Sequence, residues 1–191
     1  MTTCSIIVTD TGPLKTLAYA EKLELLLKPG LPVRIPDMVI KELEAGLPRS
    51  GNAIALQFVQ VCIANNLVEK VDTGVPQIAD YLRSIDQDPG DLSVIGALNK
   101  YKKTNPDDFA LLLFEDNDLA KKQLFLPDNV FLLTTRPFLQ ELKDRGYVDS
   151  VEKLLKDVEV KSSLAGDDRN LLNRKKEHSI PPRSDAAVKP F

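Results

Sequence analysis

Apolar and polar positions divide the chain into short buried runs and longer amphipathic segments. Ser5-Ile6-Ile7-Val8-Thr9 is a β-branched run that reads as a buried strand ending at Asp10. Gly12-Pro13 interrupts it, and Leu14 to Leu27 reads as helix with a break near Ala20. Val33-Arg34-Ile35-Pro36 is a second strand. Asp37 is placed to cap a helix whose apolar positions Met38, Val39, Leu43 and Leu47 lie near one face. Helix is expected over 53–65, strand over 67–71 and helix over 75–85. After the break at Asp88-Pro89-Gly90, residues 91–101 read as helix with Leu92, Ile95 and Leu98 facing inward. Phe109-Ala110-Leu111-Leu112-Leu113-Phe114 shows no alternation, as expected of a central parallel strand covered on both faces. A short helix from Leu119, a strand over 130–134, a helix over 135–145 and a last helix over 149–158 complete the pattern.

This alternation of strands and helices predicts an α/β domain over residues 1–158, a three-layer sandwich with a mainly parallel sheet of four or five strands and the Asp10 strand near its centre. From about Ser162 the composition turns to Ser, Asp, Asn, Pro, Arg and Lys. Residues 159–191 therefore read as a polar, partly basic, extended tail. It is expected to add neither strand nor helix to the central sheet. Leu171 and Leu172 should form one helical turn at most, and Leu164, Ile180 and Phe191 are further anchors. The tail would pack on its own domain or clasp a second copy, the second being favoured.

Composition narrows the function. The chain has 191 residues, 43% hydrophobic and 28% charged, within the globular range. Cys4 and Cys62 sit in apolar stretches and read as reduced core residues of a cytoplasmic protein. His178 is the single histidine, which rules out multi-histidine metal sites, and without a CxxC pair zinc ribbons and zinc fingers are not expected. No apolar run is long enough to cross a bilayer, and the N-terminus lacks the basic region of a signal peptide. Net charge is −3, divided between −5 over residues 1–150 and +2 over 151–191. An acidic body argues against simple coating of DNA by basic side chains. Walker A, GxGxxG and GxSxG patterns are absent, and the position two residues after Asp10, where a phosphoaspartate enzyme wants a second Asp, is Gly12.

The position of the acids then matters more than their number. Ligands of open α/β sheets bind beyond the carboxyl ends of the strands. Asp10 ends the first strand, Asp116 and Asp118 follow the Phe109–Phe114 run, Asp91 starts a helix, and Glu42 lies one turn inside the helix after the second strand. Carboxylates gathered at one edge repel one another unless a cation neutralises them, and Mg²⁺ or Mn²⁺ suits an oxygen-only donor set. Each acid also has a local structural role open to it. Asp10 or Thr11 could cap a helix with Pro13 in its first turn, and Asp91 could be an N-cap. Glu42 could be a solvated acid beside Lys41 or Arg49. Asp116 and Asp118 could be turn formers with Asn117. Thr135 could be a cap with Pro137 in the first turn. Arg174-Lys175-Lys176 reads as a solvated charge run, and His178 as an exposed tail residue.

Four segments together carry a family resemblance. Ile6-Ile7-Val8-Thr9-Asp10-Thr11-Gly12-Pro13-Leu14 resembles the opening strand and acidic loop of PIN-domain nucleases. Ile35-Pro36-Asp37-Met38-Val39-Ile40-Lys41-Glu42-Leu43 resembles their strand, proline and Glu-Leu helix. Pro89-Gly90-Asp91-Leu92 resembles the third acidic helix start. Leu113-Phe114-Glu115-Asp116-Asn117-Asp118-Leu119 is similar to the fourth acidic loop. The resemblance covers about residues 5–150. It implies a metal-dependent ribonuclease leaving 5′-phosphate and 3′-hydroxyl ends, often the toxin of a VapC-like pair. RNA would be the substrate, Mg²⁺ or Mn²⁺ the cofactor, and a cognate antitoxin and a second copy of the chain the partners. Asp10, Glu42, Asp91 and Asp116 would be the site acids, their oxygens approaching one point, with Asp118 a rival to Asp116. Thr11, Thr135 and Arg136 would position substrate or water. The family's Thr or Ser two residues before the fourth Asp is replaced here by Phe114. The rival reading is a non-catalytic module of the same fold that binds RNA or protein.

Overall fold

The computed structural model describes residues 2–47, 49–167, 169, 178–183 and 187–191, with Asn117 and Asp118 described by backbone alone. Strand β1 (Thr2–Thr3) leads to β2 (Ile6–Thr9), α1 (Thr11–Tyr19), a 3-10 helix at Leu23–Leu27, β3 (Val33–Pro36), α2 (Asp37–Ala45), α3 (Ser50–Ala64) and β4 (Val68–Val71). A 3-10 helix at Val75–Ile78, then α4 (Ala79–Ser84), α5 (Pro89–Thr104), β5 (Ala110–Phe114), α6 (Asn117–Lys121) and β6 (Val130–Thr134) follow. The chain continues through α7 (Thr135–Asp144), α8 (Val151–Leu164), β7 (Ser179–Ile180) and β8 (Val188–Lys189).

The central sheet has the order β4-β3-β2-β5-β6-β7, parallel except for β7. β2, β5 and β6 are buried at every position, which is why their sequences show no alternation. The right-handed crossover rule puts α1 and α3 on one face and α5 on the other. The packing agrees: α1 touches α3 and α8, α8 touches α7, and α5 lies on β2 and β3. Helices thus cover both faces, an arrangement compatible with a three-layer sandwich. Connections run outward in opposite directions from β2 and β5, so the strand order reverses between them. Such a switch point leaves a crevice outside the carboxyl ends of the two strands. Among the described residues no helix is long and apolar enough to cross a membrane.

Several expectations are corrected. The helix expected to stop near Val158 continues to Leu164, so the 158/159 division falls inside α8. Its N-cap is Ser150, whose hydroxyl accepts the Lys153 amide at 3.2 Å. The inward face of α5 is Val94, Ala97, Leu98 and Tyr101, with Leu92 and Ile95 half-buried, and Leu47 lies exposed beyond the end of α2.

The largest correction concerns the tail. β7 adds a sixth strand to the sheet, Ile180 opposite Leu132 and Ser179 opposite Leu133. Two residues are too short to show a period, and the Pro181-Pro182 that argued for an extended tail is compatible with an edge strand. His178 is half-buried, its ring stacked on Phe114 at 6.0 Å, rather than exposed. Val188 and Lys189 pair with Thr2 and Thr3. Phe191 is buried edge-on against Phe138 at 5.5 Å, beneath the Arg145 guanidinium. The described tail residues therefore dock on their own domain. The turn expected at Leu171 and Leu172, and the Arg174-Lys175-Lys176 run, lie outside the described residues.

Candidate functional site

Asp10 occupies the N-cap position of α1 in extended backbone, yet its side chain makes no capping hydrogen bond. Asp91 is relieved of capping as well: Asp88 is the N-cap of α5, its Oδ1 accepting the Gly90 amide at 2.7 Å and the Asp91 amide at 3.4 Å. At α2 the preceding residue is Pro36, and Asp37 is the first helical residue rather than the cap. Asp10 and Asp91 are thus left for other work.

The switch point holds a pocket of about 520 Å³ lined by Asp10, Thr11, Gly12 and Lys15 from the start of α1, Glu115 and Asp116 after β5, and Arg169 from the tail. Gly12 is required here, because a Cβ would stand 2.8 Å from Glu115 Cβ. Glu42 reaches the same edge from α2. Thr11 Oγ1 donates to Glu42 Oε2 at 2.5 Å, and a Cβ on Gly90 would run into Glu42 Oε1, so the first turn of α5 lies against this carboxylate. Glu42 also lines a neighbouring pocket of about 460 Å³ with Arg83 and Asp88. Asp91 is buried and accepts Lys122 Nζ at 2.7 Å.

Electrostatics tie these groups together. Burial raises the Asp10 carboxyl to about 7; the Thr11 amide opposes this, and the charges of Glu42, Asp91 and Glu115 add to it. Burial also raises Glu42, against the Thr11 hydrogen bond and with Asp88 and Asp91 assisting. Asp91 is raised by burial and by Asp88 and Asp116, with Lys122 pulling the other way.

The sequence placed Asp10, Glu42, Asp91 and Asp116 near one edge, and their mutual influence agrees. Their oxygens do not meet at a point: among the described residues no group of three or more His, Cys, Asp or Glu side chains is arranged to hold one metal ion. Protein donors divide the acids instead, Thr11 on Glu42, Lys122 on Asp91 and Arg169 on Glu115. The Asp118 side chain lies outside the described residues. Thr135 is buried, and its hydroxyl donates to Glu115 Oε1 at 2.6 Å; the N-cap of its helix is Thr134. Arg136 is half-buried and does not line the pocket.

Sequence reasoning missed Glu115 and Arg169. Glu115 is buried at 5% exposure and accepts Thr16 Oγ1 at 2.6 Å as well as Thr135. Its other oxygen meets Arg169 Nη2, which also donates to the Gly12 carbonyl at 2.9 Å, while Arg169 Nε donates to Thr16 Oγ1 at 3.2 Å. Asp167 joins Lys15 at 3.0 Å and accepts the Tyr19 hydroxyl at 3.3 Å.

The donor set at this edge is carboxylate and hydroxyl oxygen, which suits a hard divalent cation and not a soft one. A carboxyl raised to about 7 by burial and like charges marks a cluster that added positive charge would stabilise. Lys15, Lys122 and Arg169 share this edge with the carboxylates, so the oxygens are hard donors of the kind such a cation takes but are paired with protein cations in the structure. Comparisons of the chain with protein-family models, curated proteins and solved structures give no match.

Proposed function

We propose that the chain is a Mg²⁺- or Mn²⁺-dependent endoribonuclease of the PIN type that its sequence resembles. The observation carrying this reading is the gathering of Asp10, Glu42, Asp91 and Asp116 about the switch point, with the Asp10 carboxyl raised to about 7. Asp10, Asp91 and Asp116 would hold the cation. Bound there, a divalent metal supplies Lewis-acid stabilisation of the phosphoryl oxygens and makes water easier to deprotonate. Glu42 is suited to accept the water proton: burial raises its basicity, and the Thr11 hydroxyl fixes its orientation. Water attacks phosphorus as Glu42 takes its proton, the bond to O3′ breaks, and the leaving oxygen takes a proton from solvent, giving a 3′-hydroxyl and a 5′-phosphate. A cation held there would offset the burial and like charges that raise the Asp10 carboxyl, and so would favour its ionised form.

The test incubates an unstructured RNA with the protein and Mn²⁺, with an Asp10→Asn variant and a chelator as controls. The expected result is cleavage to 5′-phosphate ends that both controls reduce at least about a hundredfold, because outer-shell partners alone cost 10–100-fold. Absence of cleavage, or equal cleavage by Asp10→Asn, overturns the reading. The donors already on Glu42, Asp91 and Glu115 favour the second reading, a non-catalytic module of the same fold. For that module, Mn²⁺ would bind the wild-type chain no better than Asp91→Ala.

A further inference from the structure

We propose that Phe125 and Arg183 form a nucleotide-binding site beside the acidic edge, the Phe125 ring stacking on an unpaired base of RNA and the Arg183 guanidinium taking the adjoining phosphate. The inference rests on RNA being the ligand, as proposed above, and not on a metal.

The turn after α6 exposes apolar surface that the fold does not use. Gln123–Phe125 is a 3-10 helix with none of its residues buried. Leu124 is 78% exposed and Phe125 72%, whereas the next residue, Leu126, is 3% exposed and anchors the turn in the core. A single apolar side chain at a surface is ordinary. Two on one turn, the second an aromatic ring able to bury about 150–250 Å², leave an apolar face in water with its anchoring already done by a neighbour.

The surroundings of the turn select its ligand. The Phe125 amide donates to the Lys122 carbonyl at 2.9 Å, and Lys122 Nζ lies 2.7 Å from Asp91. Phe125 thus stands one turn of chain from a residue that touches the candidate site. From the other side the tail brings a second cation. Three residues after β7, the exposed Arg183 donates Nη2 to the Leu126 carbonyl, next to Phe125. Among the described residues no carboxylate pairs with Arg183, and one bond leaves four of its five N–H donors for a ligand. A ring beside a guanidinium suits a nucleotide, because bases of any identity stack on aromatic side chains and a guanidinium matches phosphate bidentately. In a duplex the bases stack on one another, so the ligand is single-stranded. A purely apolar protein surface would leave Arg183 without a counter-charge. The pairing of β7 with β6 also gains a purpose, since it sets Arg183 beside the turn.

The test follows the fluorescence anisotropy of a labelled, unstructured RNA with the full chain in EDTA, so that binding is read without hydrolysis. Phe125→Ala should bind at least about tenfold more weakly, the effect of losing one stacked base, and Phe125→Trp should bind as the wild type does. On an abasic strand of the same length, wild type and Phe125→Ala should bind alike. Arg183→Gln should weaken binding and flatten the dependence of log affinity on log salt by about 0.7, one phosphate of a single strand, while Arg183→Lys keeps the slope. Equal binding of the base-containing RNA by Phe125→Ala and wild type, an equal loss by Phe125→Ala on the abasic strand, or no binding by the wild type overturns the site. A Phe125→Ala chain that keeps its RNA affinity but loses self-association in sedimentation makes the turn a protein contact and overturns it too. Hydrolysis with Mn²⁺ is read separately. Stacking-dependent binding without hydrolysis keeps this site and removes the nuclease reading, and hydrolysis with equal binding by Phe125→Ala does the reverse.

Discussion

Asp10 and Asp37 occupy equivalent places, each following a parallel strand and opening the next helix, yet they are treated in opposite ways. Asp37 is 5% exposed and surrounded by donors: the Met38 amide at 3.0 Å, the Thr73 amide at 3.1 Å and hydroxyl at 2.5 Å, and the Ser93 hydroxyl at 3.2 Å. Burial works against its charge, but hydrogen bonds from Thr73, Asp72 and Ser93 outweigh burial and the carboxyl lies below its usual value. Asp10 is half-buried with three acids for neighbours, and its carboxyl is raised to about 7. Asp10 is an extended N-cap and Asp37 the first helical residue, and their surroundings differ more than this one-position offset. Asp37 ties the start of α2 to the loop before α4 and to α5, and so sets where Glu42 and Asp91 stand. Asp10 carries a cost in stability that a structural aspartate would not.

The sharpest way to break this contrast is to delete both carboxylates. Asp37→Ala removes charge-assisted bonds and strands buried hydroxyls, so it should cost on the order of 4 kcal/mol in urea unfolding. Asp10→Ala should cost far less at neutral pH, and equal losses would erase the distinction.

A smaller effect is the opposite pH dependence of the two amide variants. An acid raised in the folded state holds its proton more tightly there, so its contribution to stability falls as pH rises from the unfolded value of 3.8 to about 7. Asp10→Asn should therefore match wild type near pH 4 and exceed it above pH 7 by about 2 kcal/mol, roughly half of what the shift converts to, since the carboxyl keeps contact with pocket water. Asp37 has the reverse sign. Its stabilisation is present above 3.8 and is lost as pH falls through its lower folded value, so Asp37→Asn should be most harmful near neutrality and least so in acid. Thermal melts across this range check both.

Smallest is Thr135→Val. Glu115 combines the two cases, a carboxylate with hydroxyl donors that nonetheless lines the Asp10 pocket. Losing one donor of nearly equal volume should cost about 1 kcal/mol, with Thr16 still in place. A loss several times larger would make Thr135 the principal anchor of Glu115.

The parallel sheet and the edge on which the acids lie were legible because long buried runs such as Leu111-Leu112-Leu113 fix strands, and a strand's end fixes where the next residue emerges. Glu115 was hidden by its neighbours. It sits beside Asp116, Asn117 and Asp118, and nothing local separates the acid that turns inward from its polar neighbours at the start of α6. Its one available signal is that it follows directly on a strand buried at every position. Arg169 could not be read at all, because the polar composition around it is that of a solvated segment and its partners Gly12, Thr16 and Glu115 lie far back in the chain. β7 failed for a third reason: two residues against an edge carry no periodicity, and the adjoining prolines argue equally for a loop.

The distance along the chain between Arg169 and its partners also orders events during synthesis. Thr16 precedes Arg169 by 153 residues. A ribosome adding about 5–20 residues each second therefore delivers the guanidinium roughly 8–30 s after the hydroxyl it will meet. β2 is already made when Thr16 appears, and β5 and β6 follow within that interval, so the walls of the pocket precede Arg169. Each newly made molecule thus passes through a period, timed by translation, in which the Glu115 carboxylate stands without the Arg169 guanidinium that later faces it.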